Sequence, residues 1–379
     1  MSESMPLELM NDRFIKATRY ESVDSTPIWL MRQAGRYLPE YMKTRAKAGS
    51  FLELAKNPSY ASEVTLQPLD RYDLDAAILF SDILTIPDAM GLGLRFEQGE
   101  GPRFEFPLQT EKSIQDLRAA DMDQLRYVFD AVTQIRKDLI QNGKQRVPLI
   151  GFSGSPWTLA CYMIEGGGSK EFQQTKTLLY SRPDLMRRIL DINIQSVTEY
   201  LKLQIESGAQ AVMLFDTWGG LLSYSDYLTY SLDPMKEVIR RLHEDRHVKQ
   251  NIPILLFSKG GGTWLKEMAK SGANVIGLDW TQSISQAREQ LSSQRICLQG
   301  NLDPQILLGD QAIIKTRVAE MFNELALTKA TQLELSPLDG HIFNLGHGIS
   351  QFTPPENVEI LISAIRAESK RHRHQHHFD

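Results

Sequence analysis

Eight short apolar runs, each leading through a turn into a helical stretch, constrain this 379-residue chain more than any other feature. They are Pro27–Met31, Ala76–Phe80, Pro148–Phe152, Ala211–Phe215, Pro253–Phe257, Asn274–Leu278, Ile296–Gln299 and Ile342–Leu345. Each is nearly continuous in apolar residues, as a strand buried on both faces must be. Strands that alternate with helices pair in parallel, because the crossover helix returns the chain to the same edge of the sheet. Eight such units are the number that closes a (β/α)8 barrel, and one barrel commonly takes ~250 residues or more. The expected fold is therefore α/β, a single (β/α)8 TIM barrel over residues 1–366. The polar, turn-rich stretch Gly99–Leu108 is read as a small hairpin inserted after the second strand.

Helix boundaries are legible too. Ser155-Pro156, Asp233-Pro234 and Asp303-Pro304 each set a capping side chain before a proline at the first helical position. Thr353-Pro354-Pro355-Glu356 has the spacing of a capping box. Asp184–Glu206 reads as one long helix, with Gly208 as its stop. Residues 367–379 are charged and hold four of the eight histidines. That segment is either a metal-binding tail or a solvated, disordered end, and disorder is the expectation.

Composition removes several function classes. A net charge of −5 argues against a nucleic-acid partner. Two cysteines, Cys161 and Cys297, exclude a disulfide framework or a Cys-rich metal site. No apolar stretch approaches the ~18 residues of a membrane span. The N-terminus lacks a basic then apolar leader, so a cytoplasmic protein is expected. Neither a zinc motif, a nucleotide-binding glycine fingerprint nor a nucleophile elbow is present, so no metal and no cofactor are expected.

In a barrel, chemistry gathers at the C-terminal strand ends. The first run leads into Arg32-Gln33-Ala34-Gly35-Arg36-Tyr37, with Arg45 nine residues past Arg36. The second leads into Ser81-Asp82, and the third into a helix carrying Tyr162. The fourth precedes Asp216-Thr217-Trp218, and the fifth Ser258-Lys259 and three glycines. The seventh leads into Asn301, and the eighth into Gly346-His347-Gly348. From Arg32 to Arg45 four cations face one acid, Glu40. Guanidinium forks suit carboxylates or phosphates; alternatively these arginines pair with surface acids. Asp82 either caps the next turn or accepts from a donor-rich ligand. His347 is flanked by glycines that let backbone approach closely. It is either a catalytic group or part of a backbone anion nest.

The blocks MRQAGRYLPEY, FSDIL, GFSGSPWTLACYMIEGGGS, LFDTWGG and NLGHGI, in this order, resemble the uroporphyrinogen decarboxylase family. The resemblance runs from about Asn11 to Arg366. It implies a single barrel, usually a homodimer, that uses no metal or prosthetic group. It also implies removal of the four acetate carboxyls of uroporphyrinogen III, giving coproporphyrinogen III and CO2. Mapped by motif, Arg32 and Arg36 would bind substrate carboxylates, with backbone contacts from Gln33, Ala34 and Gly35. Arg45 would add a further carboxylate contact. Asp82 would be the central aspartate, and Tyr162, Thr217 and His347 would complete the pocket. Asp82, Arg32 and His347 would carry the chemistry. Related corrinoid-linked methyltransferases use zinc ligands of the His-x-Cys kind, and neither Cys161 nor Cys297 has a histidine two residues before it.

Overall fold

The apolar runs assemble into a curled parallel sheet of seven strands. In the computed structural model, which describes residues 8–97, 101–245, 252–328 and 336–375, these are Ala77–Ile78, Leu149–Gly154, Ala211–Asp216, Ile254–Ser258, Val275–Gly277, Cys297–Gln299 and His341–Ile342. Spatial order follows chain order, and every pairing is parallel. Ile150 stands opposite Ala211, and Val212 opposite Ile254. Nearly every strand residue is buried, so the run composition is explained by helices covering one face and the curled interior filling the other.

The first run, Pro27–Met31, is not a ladder strand but lies in the seam between the last strand and the first. Ile28 bridges Phe343 in parallel, and Phe343 N–H donates to the Pro27 carbonyl at 2.8 Å. On its other side Asp75 N–H donates to the Ile28 carbonyl at 2.7 Å. Two side chains replace the rest of the ladder. The Asp75 carboxylate accepts from Ile28 N–H at 2.6 Å, and the Gln33 amide accepts from Leu30 N–H at 3.1 Å while donating to the Ala76 carbonyl at 3.2 Å. Fully buried Asp75 also takes Asn11 Nδ2, Arg366 Nη2 and Arg13 Nη1 at 2.7, 2.7 and 3.3 Å. A buried carboxylate is tolerable only when paired and hydrogen-bonded; here it draws the chain's N- and C-terminal helices onto the seam.

Helix signals mostly hold. Pro183–Ser207 is one helix, and Gly208 ends it at φ 124°. Ser155 Oγ accepts from Thr158 N–H, and Asp303 from Gln305 N–H. Asp233 is a correction: it lies inside the helical run that starts at Tyr224 and pairs with Lys236. Thr353 is another, because its buried hydroxyl has no partner among the described residues and closes no capping box. Leu94–Glu97 and Gly101–Phe104 form a separate antiparallel pair, tied at Phe104 N–H to the Gly166 carbonyl.

The expectation of a disordered tail from 367 onward is corrected as far as Gln375, because one helix runs Pro355–Gln375. The reason is docking. His372 is buried with its ring stacked 6.3 Å from Phe322, and Arg373 pairs with buried Asp339 at 2.8 Å. Residues 376–379 of that segment lie outside the described residues.

Candidate active site

Seven parallel strands end on the same side, so the residues that follow them share one rim. Asp82 follows the first sheet strand. Its Oδ1 accepts Leu84 N–H at 2.8 Å, turning the chain, while its Oδ2 takes no protein donor among the described residues. The two readings of Asp82 therefore coexist: one oxygen holds a turn and the other is open. Burial pushes this carboxyl above the usual range, offset by the Leu84 N–H and by the positive charge of Arg32.

Arg32 is held in place by backbone. It sits at φ 61°, a left-handed conformation uncommon outside glycine. The strand-end loop of His347 is tied to it, with Ile349 N–H donating to the Met31 carbonyl at 3.0 Å. Arg32 then lies across Gly348, where an added Cβ would fall 2.3 Å from Arg32 Cδ. Gly346 is equally confined, 2.5 Å from Trp280 N by the same measure. The two glycines beside His347 are thus packing requirements, and Gly348 lets the His347 loop lie against Arg32.

His347 is pushed down to about 4, first by burial and then by the charges of Arg32 and Lys259, with Asp279 opposing. Its imidazole is neutral near neutral pH. Tyr162 is pushed up to about 12, chiefly by burial and then by the Asp82 charge, while Arg32 opposes. These mutual influences put Arg32, Asp82, Tyr162 and His347 in one cluster. The Tyr162 ring lies 6.0 Å from Trp218, whose other neighbour is Phe172 at 4.7 Å.

The remaining residues take separate places. Arg36 and Arg45 lie near Tyr41, whose ring packs 5.6 Å from Phe80, between the strand Ala77–Ile78 and Asp82. Arg32, Arg36 and Arg45 have no carboxylate partner among the described residues, and Glu40 is taken by Arg71 at 2.7 Å. Pairing with surface acids is thereby overturned for all three. Ala34 and Gly35 are half-buried on the turn, and their N–H groups meet no protein acceptor among the described residues. Gln33 is a correction. It is fully buried, its amide serves the seam, its N–H donates to the Leu30 carbonyl, and its carbonyl accepts from Tyr37. Thr217 is half-buried and directly follows Asp216, the last residue of the strand Ala211–Asp216.

Sequence reasoning missed Asp216 as the organiser of that loop. Its buried carboxylate accepts from Ser155, Ser231 and Ser258 at 2.7 Å and from Thr158 at 3.1 Å. Four hydroxyls from three segments meet on one carboxylate. It also missed Asp279, which accepts Gly260 N–H and Thr281 N–H and so orders the next two loops. The signal was available: both acids directly end apolar runs, as Asp82 nearly does.

Comparison with known proteins agrees with this architecture. The family model described as uroporphyrinogen decarboxylase (URO-D) matches residues 9–368. A uroporphyrinogen decarboxylase from Cupriavidus necator is 58% identical over 365 residues, 96% of this chain and 98% of that one. One from Ralstonia pickettii is 57% identical over 366 residues, covering 97% of each. A solved methyltransferase from Methanosarcina mazei shares the fold at TM-score 0.74 and 20% identity, covering 94% of this chain and 97% of its own. With a family match spanning almost every residue and identity well above half, this chain belongs to the uroporphyrinogen decarboxylase family.

Proposed function

We propose that this chain is a carboxy-lyase that converts uroporphyrinogen III to coproporphyrinogen III and four CO2 in haem and porphyrin biosynthesis. The observation that carries the reading is the open Oδ2 of Asp82, set in a cluster with Arg32, Tyr162 and His347. A cyclic tetrapyrrole presents four N–H donors at its centre and carboxylates at its edge. One open acceptor oxygen beside Arg32, with Arg36 and Arg45 lacking carboxylate partners among the described residues, suits that pattern.

The chemistry follows from charge. A proton adds to the ring carbon next to the one that bears the acetate arm, and the ring becomes cationic. The bond to the carboxylate then breaks, its electron pair neutralises the ring, and CO2 leaves. A second proton converts the exocyclic methylene to methyl, and the ring carbon gives up the first proton, which restores the aromatic pyrrole. The Asp82 carboxylate stabilises the cation, as an oxyanion hole does with the sign reversed. Arg32 and His347, adjacent across Gly348, are the groups positioned to relay protons. A substrate carboxylate arriving at Arg32 offsets the charge that helps hold His347 low, which raises its proton affinity when the site is filled. Arg36 and Arg45 take peripheral carboxylates, the N–H groups of Ala34 and Gly35 add donors, and Thr217 and Tyr162 complete the wall.

The same reading includes a fully closed (β/α)8 barrel as one domain over 1–366. The seam at Ile28 would be its eighth position, and the 94–104 pair its inserted hairpin. It includes a homodimer in the cytoplasm; among the described residues no helix is long and apolar enough to cross a membrane. A thiolate-metal methyltransferase is disfavoured by Cys161 and Cys297, both buried with their thiols pushed up, Cys297 to about 12.

Purified protein, treated with chelator and given uroporphyrinogen III with no added cofactor, is expected to release CO2 and yield a four-carboxylate product. Absence of turnover that zinc specifically restores would defeat the reading. The position of Arg32 has its own test. Gly348→Ala would push Arg32 aside, and misplacement by ~1 Å can cost ~10²-fold in rate. We expect kcat/KM to fall by about that factor while the thermal midpoint holds, because exposed Arg32 is free to swing away. An unchanged kcat/KM would remove Arg32 from the reacting centre.

A further inference from the structure

We propose that Lys259 is a further substrate-binding residue that anchors a carboxylate of the tetrapyrrole which does not react. The proposal rests on the decarboxylase reading and adds a cation on the rim next to His347. Lys259 directly follows the strand Ile254–Ser258, and its N–H continues the ladder by donating to the Asp216 carbonyl at 3.1 Å. Strand alternation puts Lys259 on the same face as Phe257. The Phe257 ring lies 6.2 Å from the His347 ring and 6.3 Å from Phe215, so that face looks into the mouth.

The backbone at Lys259 is fixed from two sides. Gly220 N–H donates to its carbonyl at 3.1 Å, and a Cβ on Gly220 would fall 2.4 Å from that same oxygen. On the other side Gly260 N–H is taken by Asp279. The ammonium stands 5.9 Å from the centroid of the Trp280 ring, a geometry that steadies a cation at a partly exposed site. It has no carboxylate partner among the described residues. Asp279, whose carboxylate also takes the N–H of neighbouring Gly260, spends its oxygens on Gly260 and Thr281. An ammonium held in a cleft without its own counter-ion is set to receive an external one. The depressed His347 is consistent with its proximity.

Why a carboxylate that stays, rather than one that leaves? An ion pair to the reacting carboxylate stabilises the ground state, and it must be broken as that charge passes into the ring. Such a contact would slow the step it serves. A cation built into the site is useful on a side chain whose charge is the same before and after reaction. Its contribution is then uniform binding, which appears in KM and not in kcat.

The test is Lys259→Met, which keeps the aliphatic stem, beside Lys259→Arg, which restores the charge. With uroporphyrinogen III we expect Lys259→Met to raise KM about tenfold, the low end for a charge-assisted contact. Its kcat should stay within about twofold, and its KM should depend less steeply on ionic strength. Lys259→Arg should recover most of the KM. A normal KM in Lys259→Met overturns the proposal. So does a fall in kcat alone, which would mean that Lys259 acts through His347, or a rise in kcat, which would place it on the reacting carboxylate. A wild-type protein that binds uroporphyrinogen without releasing CO2 would instead overturn the decarboxylase reading. Lys259 would then be judged by the dissociation constant, expected to be about tenfold weaker in Lys259→Met.

Discussion

Asp82→Asn is expected to lower kcat by a factor on the order of 10²–10³, the usual cost of deleting one preorganised electrostatic group. The substitution is nearly isosteric. The amide oxygen can still accept Leu84 N–H, which Oδ1 does at 2.8 Å, so the turn should survive. What changes is the open position. A neutral NH2 replaces an anionic oxygen at the point where the pyrrole N–H groups would converge, and the cationic ring loses its counter-charge. That loss is greatest when the ring is protonated, so kcat should fall more than affinity. Asp82→Glu keeps the charge and moves it by about one methylene, which by misplacement alone costs ~10²-fold. Asn should therefore be the worse of the two in kcat while still binding substrate. Steady-state kinetics with a separate binding titration check the order. A near-normal kcat in Asp82→Asn would show that the carboxylate's charge is not what stabilises the transition state.

Gly219→Ala should cost about 3 kcal/mol of stability, and its cause is steric. A Cβ there would fall 1.9 Å from Asp216 Oδ2 and 2.6 Å from Ser258 Oγ. Neither atom can yield cheaply, because the buried carboxylate is held by four hydroxyls. Overpacking costs ~1–3 kcal/mol, and each buried polar group left unpaired adds ~1–3 kcal/mol. Relaxation keeps the sum near the upper end of one of these effects, not their total. Urea unfolding should show a lower midpoint with an unchanged slope. Gly168→Ala is the control, since nothing lies within 4 Å of its added Cβ. A Gly219→Ala midpoint equal to that of the control would show that the Asp216 hub tolerates displacement. The rim of the site would then be softer than its hydrogen bonds imply.

The hub also marks a difference in what sequence can disclose. Ser155, Thr158, Asp216, Ser231 and Ser258 span more than 100 positions, and no local pattern joins them. Only Ser155 announced itself, through the proline that follows it and its place as a helix cap. Gln33 misled for a related reason. In a motif rich in arginine and glycine it reads as a contact residue. Yet the seam at Ile28 lacks a regular ladder, and the buried amide is needed to replace it. The tail misled because charge and histidine content describe a solvated segment, whereas His372 and Arg373 face Phe322 and Asp339 across the helix interface.

The sequence by itself determined where strands and helices fall, and which polar residues stand at strand ends. Both are properties of neighbouring residues: apolar continuity, capping side chains, and the glycine at 208. It also determined the family, because long motif blocks keep their order along the chain. Only the tertiary structure decided which strand-end residues face one another. Arg32 over Gly348 beside His347, the free oxygen of Asp82, and Lys259 opposite the imidazole all depend on how far the sheet curls. That curl is the summed twist and stagger of six strand pairings, a quantity that no single stretch of chain contains.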